Sequence, residues 1–338
     1  MTDMTKLPNP KTWLVPVIGD NLFYQGVKND RLIAAQKYGR IQKSTGKVTV
    51  QFYGMISYKV ITPGGVEILL DPFRNAPDLD LGGIWFLSQF PEIYADVVVS
   101  THAHGDHDGI CRVKSPMVLD RLAGTVEIGD VRITGFPDKH VSNPQNEIYD
   151  GRILEKAFGK HNYPPGENME WDNSIILIET EGFRIVFWGD NRQNPPQEIL
   201  DQLHDIDIFI SAVSDDGHIT TARWGEKIGK EIMNAKVVFP GHYNVEGINH
   251  PYASGIIDAA QFTRMHEHTF IRERSVSFSK EDIKDYNFHV MYFGENVNWN
   301  VLKWPHKYEY TYDVKPLDEW PGDHREWEQY KPKKGNHY

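Results

Sequence analysis

The sequence predicts an α/β (α+β) protein in which two β-sheets pack face to face and helices lie outside them. Three observations point there. From residue 47 onward, short β-rich runs alternate with Gly, Pro and Asp. Several runs are continuously apolar rather than alternating, as expected of strands covered on both faces. A meander of strands comes first and helices enter mainly in the second half, an order that suits stacked sheets with helices outside.

Residues 1–46 form a polar and aromatic lead-in with one helical candidate, NDRLIAAQKYGR. The expected strands then follow as VTVQFYG, ISYKVIT, VEILLDPF, DVVVST, VRITGF, SIILIET, FRIVFWGD, IDIFISAV and AKVVFPGH. The clearest helix is TTARWGEKIGKEIMNA, where Trp224, Ile228 and Ile232 recur at i, i+4 and i+8 and make one apolar stripe. Between Tyr286 and Tyr338, 13 of 53 residues are aromatic, about twice the chain-wide 12%, so this tail is expected to wrap the core or dock on a second subunit rather than act as a solvated linker. The boundaries expected are an N-terminal extension over 1–46, a core domain over 47–265 and the aromatic tail over 266–338.

Composition narrows the function. The 338 residues carry a net charge of −11, which argues against a broad nucleic-acid footprint, since that needs clustered Lys and Arg. A single cysteine excludes an intrachain disulfide framework. No segment approaches the roughly 18 uninterrupted apolar residues of a membrane span, so a soluble, cytoplasmic protein is expected.

The chemistry concentrates in DVVVSTHAHGDHDGIC, Asp96 to Cys111. An apolar strand delivers polar residues to its carboxyl edge, where open sheets build their sites. His102 and His104 are two apart, so in an extended segment they point the same way and can share one cation. Asp106 and His107 follow Gly105, which permits a sharp turn, and can address a second cation nearby. Imidazole suits Zn, Fe, Ni or Cu, and the carboxylate widens the choice toward Mn. No packing requirement asks for H-x-H-x-D-H after a buried strand.

THAHGDHDG resembles the signature of the metallo-β-lactamase superfamily, and further motifs similar to that family's follow in order. VEILLDPF supplies Asp71, which matches an orienting residue beneath the metals. ITGFPDKHVSN supplies His140, FRIVFWGDN supplies Asp190 and VVFPGHYN supplies His242. The resemblance covers about residues 47–250 and implies a four-layer αββα sandwich. It also implies two divalent cations, zinc first with manganese or iron as alternatives. His102, His104 and His140 would hold one, Asp106, His107 and His242 the other, and Asp190 both. Within the superfamily, QFYGMISYKVITPGGVEILLDPF and GHITTARWGEKIGKEIMNAKVVFPGHY are similar to the branch of the L-ascorbate-6-phosphate lactonase and the phospholipase D that releases N-acylethanolamines. That branch usually carries Gly-His where this chain has Gly54-Met55, so the resemblance implies the absence of a histidine either supporting the ligands or on the substrate side.

The resemblance implies a hydrolase in which a hydroxide bridging two metals about 3.5–4 Å apart attacks an ester, lactone or phosphoester. Asp106 and Asp190 would serve catalysis, with His218 in SDDGHITTA as a rim contact or leaving-group acid, or else part of a helix-entry loop capped by Thr220 or Thr221. Asp215 and Asp216 share that ambiguity. The span 142–172 is a candidate lid, where Lys156, Lys160 and His161 would receive an anionic small-molecule substrate or form a solvated loop face. Cys111 is expected as a small buried core residue rather than a ligand. His266 and His268 are expected on the surface of a helix, facing apart. The competing readings are a nuclease of the tRNA 3′-processing type, disfavoured by the acidic balance, and a non-hydrolytic redox or regulatory metal protein.

Overall fold

Val48, Val50 and Phe52 alternate with Thr49 and Gln51, and an extended chain sends these two sets to opposite faces. In the computed structural model, which describes residues 43–75, 86–141, 172–213, 225–249 and 258–301, the first set is fully buried and the second only partly. This strand, β1 (Val48–Gly54), lies in a six-stranded sheet with β2 (Ser57–Ile61), β3 (Glu67–Leu70), β5 (Val97–Ser100), β7 (Met117–Asp120) and β15 (Ser275–Phe278), in the order β15-β1-β2-β3-β5-β7. The β1, β2, β3 and β15 pairings are antiparallel, whereas β3-β5 and β5-β7 are parallel.

A second sheet of eight strands runs β14-β16-β13-β12-β11-β10-β9-β8. Its antiparallel part comprises β8 (Gly124–Ile128), β9 (Val131–Asp138), β10 (Asn173–Thr180) and β11 (Phe183–Phe187). Its parallel part adds β12 (Ile208–Ala212), β13 (Val237–Gly241), β16 (His289–Tyr292) and β14 (His268–Phe270). The short strands β4 (Ile93–Tyr94) and β6 (Val113–Lys114) pair apart from both sheets. The continuously apolar runs behave as expected: β5, β12 and β13 are buried at every position.

Aromatic side chains join the inner faces of the two sheets. The Tyr58 ring on β2 lies 5.8 Å from that of Phe239 on β13, and its hydroxyl donates to the Pro240 carbonyl at 2.7 Å. Phe239 also stacks on Phe278 and Phe293. Burying a tyrosine with its hydroxyl satisfied keeps the apolar gain without a desolvation cost.

Each of the nine expected runs contains a strand, and the structure adds others at the edges. The sheets extend through Tyr292, past the boundary at residue 265 read from the sequence, because β14, β15 and β16 complete both of them. Helices among the described residues are short: α1 (Gln197–Leu200), α2 (Ala260–Arg264) and a π-helical segment, Lys227–Ile232. In that segment Ile228 is buried and Ile232 partly so, as the stripe predicted, while Trp224 lies outside the described residues. Two expectations are corrected. The helix expected around His266 ends at Arg264, and the exposed His268 begins strand β14. Cys111 is exposed rather than buried, because a three-residue turn, Ile110–Arg112, turns it outward instead of starting a longer helix. The expected N-terminal helix, the lid with Lys156, Lys160 and His161, the segment with Asp215, Asp216 and His218, and the tail beyond residue 301 lie outside the described residues.

Truncating Phe239 to alanine opens a cavity between the sheets and is expected to cost about 3–5 kcal/mol in urea unfolding. Truncating Val118, half exposed on the edge strand β7, should cost under about 0.5 kcal/mol. Equal losses would contradict this placement of the core.

Candidate metal centre

All the expected site residues within the described segments leave the carboxyl ends of strands. Asp71 follows β3, the His102–Asp108 loop follows β5, His140 follows β9, Asp190 follows β11 and His242 follows β13. The two sheets meet here. The Ser174 N–H donates to the Thr101 carbonyl (3.0 Å), and the His242 N–H donates to that of Met55 (2.8 Å). Gly189 makes the approach possible, since a Cβ there would come within 2.7 Å of the Thr101 Oγ1. Asp71 (φ 40°), Met55 (φ 54°) and His242 (φ 60°) sit in the left-handed region, which costs a non-glycine residue roughly 1–2 kcal/mol. Strain of this kind persists where the surroundings fix the side chain's direction.

The buried Asp71 carboxylate organises the floor. Its Oδ1 accepts the Thr101 N–H (2.7 Å), and its Oδ2 accepts the Thr101 hydroxyl (2.6 Å) and the His107 Nδ1–H (2.7 Å). Having donated its proton to Asp71, the Thr101 hydroxyl accepts from His102 Nδ1 at 3.1 Å. The network thus keeps a proton on Nδ1 of both imidazoles, so Nε2 is the nitrogen each presents to the centre.

Three side chains gather on one side and four on the other. The donor atoms of His102, His104 and His140 lie within 4.8 Å of one another, and so do those of Asp106, His107, Asp190 and His242. His102 Nε2 is 3.1 Å from His104 Nδ1. Asp106 Oδ2 lies 3.0 Å from His242 Nε2 and 3.6 Å from His107 Nε2. Asp190 Oδ2 stands between the groups, 3.2 Å from His107 Nε2, 3.3 Å from His242 Nε2 and 3.6 Å from His140 Nε2. Asp71 is also near His102 and His107, but its oxygens are already engaged by Thr101 and His107.

These residues fit divalent cations. Donor atoms about 2.0–2.1 Å from a tetrahedral cation stand about 3.3–3.4 Å apart, the middle of the spacings found here. Among the described residues, Asp190 Oδ1 is buried with no hydrogen-bond donor, and His107 Nε2 makes no well-aligned hydrogen bond despite its carboxylate neighbours. Buried polar atoms without partners are rare in folded proteins, and a cation would satisfy both.

Protonation in the metal-free protein follows from the same geometry. Burial, reinforced by neighbouring imidazoles, holds His102 well below the usual histidine range and brings His104 down to about 3. Burial alone would raise Asp106 and Asp190, but His107 and His242 beside them hold both carboxyls well below the ordinary range. Conversely, burial would lower His107 and His242, but Asp190 and Asp106 outweigh it. His107 is raised well above the usual range and His242 is pushed up to about 9. At pH 7 these last two hold protons that a cation must displace, because a ligating imidazole donates its lone pair. Calorimetric titration with Zn²⁺ at pH 7, in buffers of different ionisation enthalpy, should therefore show release of about two protons per protein. Binding without proton release would contradict this arrangement.

The structure thus brings together all seven residues expected as ligands and places Asp71 beneath them. Sequence reasoning missed the part played by Thr101, whose only signal was its place just before His102. It also missed Asp172, whose Oδ1 accepts the His140 N–H at 2.6 Å and which carried no motif.

Comparison with known proteins places the chain in a family. A family profile described as a beta-lactamase superfamily domain matches residues 49–242, more than half of the chain. A UPF0173 metal-dependent hydrolase from Thermodesulfovibrio yellowstonii is 26% identical over 218 residues, covering 59% of this chain and 80% of that protein. One from Thermus thermophilus is 26% identical over 205 residues, covering 58% and 84%. Among solved structures, a protein from Thermotoga maritima assigned as a Zn-dependent hydrolase of the metallo-β-lactamase superfamily aligns with a TM-score of 0.48 at 19% identity, over 72% of this chain and 98% of its own. The chain belongs to the metallo-β-lactamase superfamily.

Proposed function

We propose that this chain is a metal-dependent hydrolase in which His102, His104 and His140 hold one divalent cation, Asp106, His107 and His242 hold a second, and Asp190 is shared. The observation that carries the reading is the position of Asp190 Oδ2, within 3.6 Å of ring nitrogens from both groups. The names of the relatives, metal-dependent hydrolases, support the reaction class. Zinc is the first candidate, because five imidazoles and two carboxylates make a nitrogen-rich set.

Cations bound here supply a water acidified to a pKa of about 7 and polarise the substrate oxygen that gains negative charge. The chain's own groups do the rest. Asp106 and Asp190 serve catalysis as the carboxylates that would hold the cations. His104 is partly exposed while the other six are buried, so substrate reaches the centre from its side. His218, chosen from the sequence, is the proposed proton donor to the leaving group. The substrate class is a small ester, lactone or phosphoester, with Lys156, Lys160 and His161 receiving its anionic part. The choice rests on the likeness of residues 51–73 and 217–243 to the lactonase branch. A homodimer joined through the aromatic tail belongs to the same proposal. The net charge of −11 weighs against the nuclease alternative.

Metal analysis of the purified protein should find close to two equivalents, and fewer than one would overturn the dinuclear reading. The metal-loaded protein should turn over at least one class in a panel of lactones, phosphodiesters and structured RNA. Asp190→Asn should lower that turnover by more than the roughly 10–100-fold that loss of a supporting group costs. Retained activity would show that Asp190 is not shared.

A further inference from the structure

Beneath His140 and Asp190 lies a second buried polar cluster that supplies no ligand. Asp138, fully buried at the end of β9, stands two residues before His140, and Asn191 and Arg192 directly follow Asp190. The Asp138 Oδ2 accepts from Arg192 Nε at 3.1 Å, and its Oδ1 lies 2.7 Å from Arg192 Nη2 as an ion-pair contact, so two guanidinium nitrogens face the two carboxylate oxygens. The same Oδ2 accepts from Asn191 Nδ2 at 2.7 Å. Asn191 Oδ1 in turn accepts from Asn173 Nδ2 at 2.9 Å, and its backbone carbonyl accepts from Trp188 Nε1 at 3.2 Å. Main-chain bonds run alongside: Val141 N–H to the Asp190 carbonyl (2.8 Å), Arg192 N–H to that of Lys139 (2.9 Å), and an antiparallel bridge between His140 and Asn191.

We infer that the Asp138–Arg192 pair, with Asn191, forms a positioning clasp that fixes His140 and Asp190 relative to one another, and so sets the affinity of the metal centre. Two arguments distinguish this from ordinary fold stabilisation. A buried ion pair gives little net stability, because desolvating both charges offsets their attraction. Its fork, however, restricts geometry in a way that a packed apolar pair does not. The location is the second argument. His140 and Asp190 come from the ends of β9 and β11, strands separated in the sheet by β10, and across that gap the main chain supplies a single antiparallel bridge, His140 to Asn191, among the described residues. The clasp bridges that gap within two residues of each ligand.

The inference rests on the metal-centre reading, and the test keeps the two apart. The double variant Asp138→Asn/Arg192→Met removes both charges with little change in volume and should stay close to wild type in metal-free thermal unfolding. Arg192→Lys keeps the charge but loses the fork, and stands in should the double variant not fold. Both are titrated with Co²⁺, followed by its visible absorption and by competition with Zn²⁺. The expected result is affinity for at least one of the two equivalents weakened about 10–100-fold, with a changed Co²⁺ spectrum, in a protein whose metal-free stability is retained. A folded double variant that binds both equivalents within twofold of wild type overturns the clasp. If the double variant does not fold, the same result from Arg192→Lys overturns it. A wild-type protein that binds no Co²⁺ at all overturns the metal centre itself.

Discussion

Two buried carboxylates, Asp106 and Asp190, lie 3.0–3.6 Å from ring nitrogens of three imidazoles, His107, His140 and His242, and this concentration of charge and lone pairs is the constraint on which the rest of the structure depends. Buried carboxylates without counter-charge are costly. In the metal-free protein His107 and His242 supply that charge by holding protons. Divalent cations would supply more of it and would also satisfy the buried Asp190 Oδ1. Neither state is a comfortable apolar core.

The scaffold follows from that requirement. Apolar strands buried on both faces, such as β5 and β13, are rigid up to their last residue and then release a turn carrying the ligands. Because contributing strands come from both sheets, the centre sits on the seam between them, and each half is held by the other: Thr101 against Ser174 and Gly189, His242 against Met55. Asp71 is the deepest element. One carboxylate sets the tautomers of His102 and His107 and fixes Thr101, linking the end of β3 to the ligand loop after β5. Pro72 and Arg74 extend that grip, with the Gly109 N–H donating to the Pro72 carbonyl and the Arg74 guanidinium bonding Asp108.

Much of this was legible in the sequence, for physical reasons that differ by residue. The candidate ligands were visible because a metal site needs particular donor types at the ends of apolar runs, and H-x-H-x-D-H has few other uses. The central strands were visible because burial on both faces leaves a run of Val, Ile and Phe. Edge strands such as β7 and β8 were not, since their half-exposed residues carry mixed chemistry. Strand β16 was hidden by the aromatic character of its region, which suggested a covering tail, and β14 and β15 by their mostly exposed or half-buried, mixed residues. Cys111 was misplaced because its depth depends on how long the turn after His107 runs, which no local pattern fixes. Supporting groups such as Thr101, Asp138, Asp172 and Arg192 leave almost no trace in a single sequence. Their role comes entirely from what the fold puts beside them.

The most direct measurement is anomalous diffraction from crystals of the zinc-loaded protein. The account predicts two peaks about 3.5–4 Å apart. One should be bounded by His102, His104 and His140 and the other by Asp106, His107 and His242, with the Asp190 carboxylate between them. A single peak, or peaks away from these side chains, would contradict it.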